Sequence, residues 1–210
     1  MHTIDRESMN RRSLTERLDD IIMGEIGSTA VMQYLIERGN RVIAYNDIRK
    51  DEYRDPDPGW DLSVRAVKTN KCHTLSVKAS RIPKADHDSM DAVIERRDFK
   101  VLVRADEIEW DLRSDYEAQV YFPLRSSVFD GVEAIPMRMV QDEDADMVLR
   151  RLRLPSRYGT CFICGFASRV AIVAHSEGLA ERGDDLSWTS HHAGSSKKMW
   201  IAPLSLGRMK

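Results

Sequence analysis

Two short runs of alternating polarity, DLSVRAV at residues 61–67 and HTLSVKA at residues 73–79, constrain the fold of this chain more than any other feature. Successive side chains on a strand point to opposite faces, whereas a helix repeats near 3.6, so these runs predict two half-buried strands. Thr69-Asn70-Lys71 at their junction is turn-forming chemistry, which makes the pair a hairpin. On the first strand Asp61, Ser63 and Arg65 share one face, and Leu62, Val64 and Ala66 take the other. On the second, Ser76 and Lys78 lie opposite to Leu75 and Val77. A turn centred on Thr69-Asn70 sets Asp61 across from Lys78 and Ser63 across from Ser76. The apolar set then turns to a core, and the polar set converges on one spot.

A carboxylate beside a lysine ammonium at a strand end is able to hold a divalent cation and a phosphate together. In such a site the lysine orients or helps to activate a water, while the metal stabilises charge developing on phosphorus. The same alternation also describes a solvated face with a cross-strand ion pair.

Around the hairpin the chain alternates helical and strand-like segments. Residues 13–38 read as a helix, with Ser13 and Glu16 in the form of a capping box, apolar positions at helical spacing, and Gly39 as the stop. Gly24 and Gly27 weaken it and allow a break near them. Residues 41–45 (RVIAY) predict a strand, and the Pro/Gly-containing stretch 46–60 a loop. Residues 86–99 predict a polar loop passing into a short helix, and 101–104 and 118–124 (AQVYFPL) two further strands. Beyond these, helices are expected around 142–153 and 168–178, a Gly/Ser/His-rich loop at 187–198, and a strand at 199–204. The expected architecture is a single α/β domain with a central mixed β-sheet flanked by helices.

Composition excludes several classes. A chain that is 42% hydrophobic and 31% charged is not wholly disordered. No window approaches the ~18 uninterrupted apolar residues of a transmembrane helix. The N-terminus, with Asp5, Arg6, Glu7, Arg11 and Arg12, lacks the apolar stretch of a secretory signal. A cytoplasmic protein with no membrane association is the expectation. The odd count of 3 cysteines makes a poor disulfide framework. A net charge of −2, from 32 basic and 34 acidic residues, excludes a chain that is basic throughout but leaves room for a basic face beside an acidic metal site.

The order of parts carries a resemblance. Glu25 lies in an otherwise core-facing helix, a strand and a loop follow, Asp61 opens the next strand in PGWDL, and Ser76-Val77-Lys78 sits in LSVKAS on the one after. This arrangement resembles the PD-(D/E)xK nuclease superfamily, to which many restriction enzymes and Holliday-junction resolvases belong. The likeness spans about residues 20–125, with AQVYFPL similar to the core strand that follows in such folds. It implies a restriction-endonuclease-like core at about 13–125 with a C-terminal extension at about 126–210. It also implies Mg²⁺-dependent hydrolysis of phosphodiester bonds in double-stranded DNA (Mn²⁺ being an alternative cation), by a type II restriction enzyme acting as a homodimer. The catalytic set would be Asp61, Lys78, Glu25 and Ser76, with Asp61 and Glu25 holding the metal.

One departure matters. The acid normally two residues before the lysine is Ser76 here, as in some restriction enzymes that recruit a carboxylate from elsewhere. Glu25, Asp91 and Glu95 are the candidates to replace it. A second choice concerns the anchoring aspartate: a literal Pro56-Asp57 occurs in the loop, with Asp47 and Asp55 nearby, but Asp61 begins a strand and so has a fixed register. Without a second acid, the chain would be a nucleic-acid-binding relative that has lost hydrolysis.

Other features admit two readings. Cys161 and Cys164 have the spacing of half a zinc site, with His175, His191 or His192 to complete it in a zinc-stabilised interaction protein, yet their neighbours Tyr158, Phe162, Ile163 and Phe166 fit a buried segment. His191 to Lys198 is a basic loop suited to phosphate or simply to solvent. Arg49, Lys50, Arg54, Lys68, Lys71, Arg81 and Lys84 flank the hairpin site as backbone-contacting groups would, or as an ordinary surface. The acidic run at 142–147 is accounted for as a solvated helix start, and Trp60 as packing beside the site.

Overall fold

The fold was obtained as a computed structural model, which describes residues 14–50, 58–82, 91, 98–104, 112–123, 158–182, 187–192 and 195–207. The Ser13 cap, Glu95, Asp55, Asp57, Arg54, Lys84 and the helix expected around 142–153 lie outside the described residues.

Helix α1 (Leu14–Glu37) runs unbroken through both glycines. Gly27 faces the sheet, where a Cβ would sit 3.5 Å from Ala79 Cβ and 3.7 Å from Val120 and Phe122. Packing against the strands therefore holds the helix where propensity alone would let it bend. Gly39, at φ 82, closes it: its N–H bonds to the Ile36 carbonyl at 2.8 Å and the Asn40 N–H to that of Leu35 at 3.2 Å. This is a Schellman closure, and glycine takes its left-handed residue without a Cβ penalty.

Strand β1 (Arg41–Ala44) follows, then a one-turn helix α2 (Tyr45–Ile48) at the start of the expected loop. The hairpin is present as β2 (Leu62–Arg65) and β3 (Cys72–Arg81). Its register differs from the expectation by two residues: Leu62 pairs with Leu75 and Arg65 with Cys72. The cause is the turn. Ala66 N bonds to Lys71 O at 2.9 Å and Asn70 N to Ala66 O at 2.8 Å, with Asn70 itself left-handed at φ 55. The turn thus centres one residue earlier than Thr69-Asn70, and Asn70 serves as its last residue. A slip of two keeps every side chain on its face, whereas a slip of one would have inverted the hairpin.

Strand β5 (Tyr116–Phe122) pairs in parallel with β3, and β6 (Phe162–Ser168) antiparallel with β5. The result is a five-stranded mixed sheet in the order β1-β2-β3-β5-β6. A smaller antiparallel sheet contains β4 (Asp98–Arg104), β8 (Ser195–Pro203) and β7 (Ser187–His192), in that order. Two expectations are corrected here. Phe99 belongs to a strand rather than to a short helix, and the Gly/Ser/His-rich segment forms the β7–β8 hairpin rather than a loop. Asp91 is helical, and its neighbours on both sides lie outside the described residues.

The two faces of the large sheet are covered differently. On one, Leu62, Val64, Leu75, Val77, Ala118, Val120 and Phe122 pack with Met23 and Val31 of α1 and with Tyr158. On the other, Tyr121, Cys164 and Ala167 pack with Phe99 of β4, Ala202 of β8, and Ile172 of helix α3 (Arg169–Arg182). Among the described residues the second layer covers only the β5–β6 side, and Gln119 fastens it. Its fully buried amide accepts from Lys100 N of β4 at 2.8 Å and donates to Lys78 O of β3 at 3.0 Å. A 3-10 turn (Leu204–Gly207) closes the layer against β6. No helix among the described residues is long and apolar enough to cross a membrane.

Two glycines test this packing from opposite directions. A Cβ on Gly165 would meet the Gly207 carbonyl oxygen at 2.7 Å, so Gly165→Ala should cost about 1–3 kcal/mol in urea unfolding. A Cβ on Gly24 meets nothing within 4 Å, so Gly24→Ala should add about 0.5–1 kcal/mol.

Candidate active site

Strand β3 outruns its neighbour. β2 covers only Cys72–Leu75, while β5 accompanies β3 from Leu75 to Arg81. Past Leu75 one edge of β3 therefore has no strand beside it among the described residues, and Asp61 lies at the head of this notch. Its N–H bonds to Leu75 O at 2.9 Å, continuing the ladder by one step. Its carboxylate then takes over from the missing strand: Oδ2 accepts from Val77 N at 2.6 Å and from Ser76 Oγ at 3.2 Å. The chain enters through Gly59, at φ 88, where a Cβ would stand 2.9 Å from Arg113 Cβ. That constriction fixes where Trp60 and Asp61 emerge.

With the register moved by two, Asp61 stands beside Ser76 rather than across from Lys78. Ser76 joins the two. Its buried hydroxyl donates to Asp61 and accepts from Lys78 Nζ at 2.7 Å. The serine that replaces the expected acid thus holds the ammonium toward the carboxylate.

The second acid comes from β5. Parallel pairing sets Glu117 beside Ser76, on the same face. Glu117 is 3% exposed; Oε1 accepts from Ser114 Oγ at 2.7 Å, while buried Oε2 has no hydrogen-bond partner. Burial is the largest influence and pushes its pKa up; the Lys78 charge and the Ser114 hydrogen bond oppose this, and the Asp61 charge adds to it. Sequence reasoning missed this residue because it began the strand at Ala118. The signal was present: Glu117 and Gln119 are polar at alternate positions of an otherwise apolar strand that must share a face with Ser76 and Lys78.

Glu25 on α1 also lies in the field of Asp61. Partial loss of hydration raises its pKa most, the Asp61 charge comes next, and Asp47 adds a smaller push. Asn46 Nδ2 counteracts by donating to Oε1 at 3.0 Å. Asp91 is exposed and is not among the charges acting on Glu25 or Glu117. Of the proposed replacements for the missing acid, the structure brings Glu25 to the rim and leaves Asp91 outside.

Among the flanking basic residues, Arg81 is engaged elsewhere. It pairs with Asp19 at 2.8 Å and Asp20 at 2.6 Å, and the Tyr158 hydroxyl also donates to Asp19. This network, buried at Asp19 and Tyr158 and open to solvent at Arg81, clamps α1 to the end of β3 and so sets where Glu25 lies along the notch. Arg49 stacks 5.2 Å from the Tyr45 ring centroid, and Tyr45 meets Trp60 edge-on at 5.2 Å, which packs the approach to Asp61. Lys50, Lys68 and Lys71 are exposed.

The two thiols do not form half a metal site. Cys161, just before β6, packs with the α1 core, and Cys164 within β6 packs with the opposite one. Burial raises both thiols, that of Cys164 to about 12, which keeps it protonated. Among the described residues there is no group of three or more His, Cys, Asp or Glu that could hold a metal ion. Two carboxylates with water suit Mg²⁺, which keeps several waters and binds protein through one or two acids. Oxygen donors at Asp61 and Glu117, one of them with an unpartnered buried oxygen, fit such a hard cation.

No family model, curated protein or solved structure matches this chain.

A raised carboxylate pKa in the folded state means that folding favours the proton. The stability contributed by Glu117 is complete below its unfolded pKa, near 4.5, and is lost as pH rises through the folded value. Glu117→Gln should therefore melt higher than the parent at pH 8 in EDTA, and the gap should close toward pH 4. A gap independent of pH would show that this carboxylate is not strained by burial.

Proposed function

We propose that the protein is a Mg²⁺-dependent endonuclease of PD-(D/E)xK type, hydrolysing phosphodiester bonds in double-stranded DNA. The observation that carries this reading is Glu117, a buried carboxylate with a free oxygen beside Asp61 and Lys78. Leaving such a group unpaired costs stability, and a cation together with the lysine would compensate it. The order of a helix, three antiparallel-linked strands and a parallel fourth supports the same reading, as does the supply of the second acid from the strand that follows.

Asp61 and Glu117 would hold the cation, with Glu25 at the rim of the same field. A bound divalent ion supplies Lewis-acid stabilisation of the phosphoryl oxygens and a more acidic water. The chain's own residues do the rest. Ser76 fixes Lys78 near Asp61, and Lys78 orients the attacking water and offsets charge on the scissile phosphate. Val77 N holds the Asp61 carboxylate in place, so its second oxygen remains directed by the strand edge. A restriction role with a homodimer cutting both strands belongs to this proposal, since one such site cuts one strand.

Plasmid and λ-length DNA incubated with the purified chain and Mg²⁺ or Mn²⁺ test it. Nicking or linearisation is expected, stopped by EDTA and reduced at least ~100-fold in Asp61→Ala, Glu117→Ala and Lys78→Ala. DNA binding with no metal-dependent cleavage would favour a non-hydrolytic relative instead. Cleavage that survives all three substitutions would sink the nuclease reading.

A further inference from the structure

On the face of the large sheet that carries Asp61, Ser76 and Glu117, the second layer covers β5 and β6 and, among the described residues, leaves β1 and β2 open. Register alone says what occupies the open part. Arg41 pairs with Arg65 directly across β1 and β2, and Ile43 pairs with Ser63 one step nearer the notch. Along β2, Arg65, Ser63 and Asp61 then follow on one side at every second residue. Arg41, Ile43 and Arg65 are all exposed, Ile43 to 50%.

Two guanidinium groups directly opposite on neighbouring strands repel, and such pairs destabilise a sheet. Neither Arg41 nor Arg65 forms an ion pair among the described residues. Elsewhere the molecule answers a strand-borne arginine with acid: Arg81 has both Asp19 and Asp20. A like-charge pair kept without a carboxylate, on the same face as a carboxylate–lysine notch, is what an anionic ligand lying across that face would require. The separation fits a polymer. Arg65 stands four residues from Asp61, about 14 Å at ~3.4 Å per strand residue. That is too far for both positions to hold one phosphate, and it corresponds to a few nucleotides of one strand. Planar guanidinium groups also match phosphate oxygens better than point charges do.

We propose that Arg41 and Arg65 together form a subsite for one backbone phosphate of a nucleic-acid strand, which runs across the open β1–β2 face to the Asp61–Glu117–Lys78 notch. The subsite rests on the nuclease reading for what lies at the notch, but it makes its own demand on binding. The exposed Ile43 lies on the path between, where a sugar or base edge would pass. The strand would therefore leave the notch toward β1, away from the layer built on β4 and α3.

Fluorescence anisotropy of a labelled 20-mer DNA in EDTA, at several salt concentrations, tests this without any cleavage. Arg41→Ala and Arg65→Ala should each weaken binding about tenfold, and the slope of log K against log salt should fall by about one phosphate contact. Because both serve one phosphate, the double variant should lose little beyond either single one. Arg38→Ala, at the end of α1 and stacked on Tyr34, should bind like the parent. In low salt without DNA, Arg65→Ala should melt at or above the parent, since it relieves a repulsion; a merely structural arginine would melt lower. Unchanged affinity and salt slope in both variants would overturn the subsite while leaving metal-dependent cleavage, and hence the nuclease reading, standing. A parent chain that binds no DNA at all would overturn both.

Discussion

The parallel pairing of β3 with β5 is the constraint on which the rest depends. A parallel pair cannot be joined by a tight turn, so the chain must leave the sheet after Arg81 and return at Tyr116. That crossover puts residues distant in sequence into register. It sets Glu117 against Ser76 and Gln119 against Lys78, which gives the notch its second carboxylate and gives the second sheet its buried anchor. Further fixings act at the start of β5. Thr74 N donates to the Asp115 carboxylate at 2.8 Å, and Arg169 N bonds to Asp115 O at 2.9 Å, so β3, β5 and α3 meet at one residue.

The notch exists because β3 is longer than the strand on its other side. Where β2 stops, an edge begins that no strand of the described residues pairs, and Asp61 supplies a side-chain acceptor there in place of a backbone one. Its carboxylate is thereby fixed by two donors before any ligand arrives. Ser76 gives the lysine a fixed place as well. The arrangement is rigid on the Asp61 side and strained on the Glu117 side, where burial leaves one oxygen without a partner. Polar groups arranged in this way lower stability in the free protein, a cost that the proposed cation would offset.

Much of this was legible in the sequence, and the failures have physical causes. Alternation identified the faces of β2 and β3 correctly, because half-burial imposes a period of two on any register. The register differs by two from what the turn composition implies, because the turn uses Asn70 as a left-handed closing residue, a detail decided by backbone hydrogen bonds rather than by composition. Gly39 stops the helix as its sequence position implies, while Gly24 and Gly27 do not break it, since sheet packing overrides local propensity. The β7–β8 hairpin was hidden beneath Gly, Ser and His, residues that usually mark loops. Order and spacing single out Asp61, Ser76, Lys78 and Glu25 as candidates. Glu117 carries only the weaker signal of a polar residue alternating in an apolar strand, because its place beside Ser76 comes from a crossover and not from the hairpin.

A crystal structure of the protein soaked with Mn²⁺, with data collected at the manganese edge, measures the central claim most directly. The account predicts an anomalous peak bound by one oxygen of Asp61 and by Oε2 of Glu117, with Lys78 within reach of its water shell. No peak at saturating Mn²⁺, or a peak that leaves Glu117 Oε2 unbound, would contradict it.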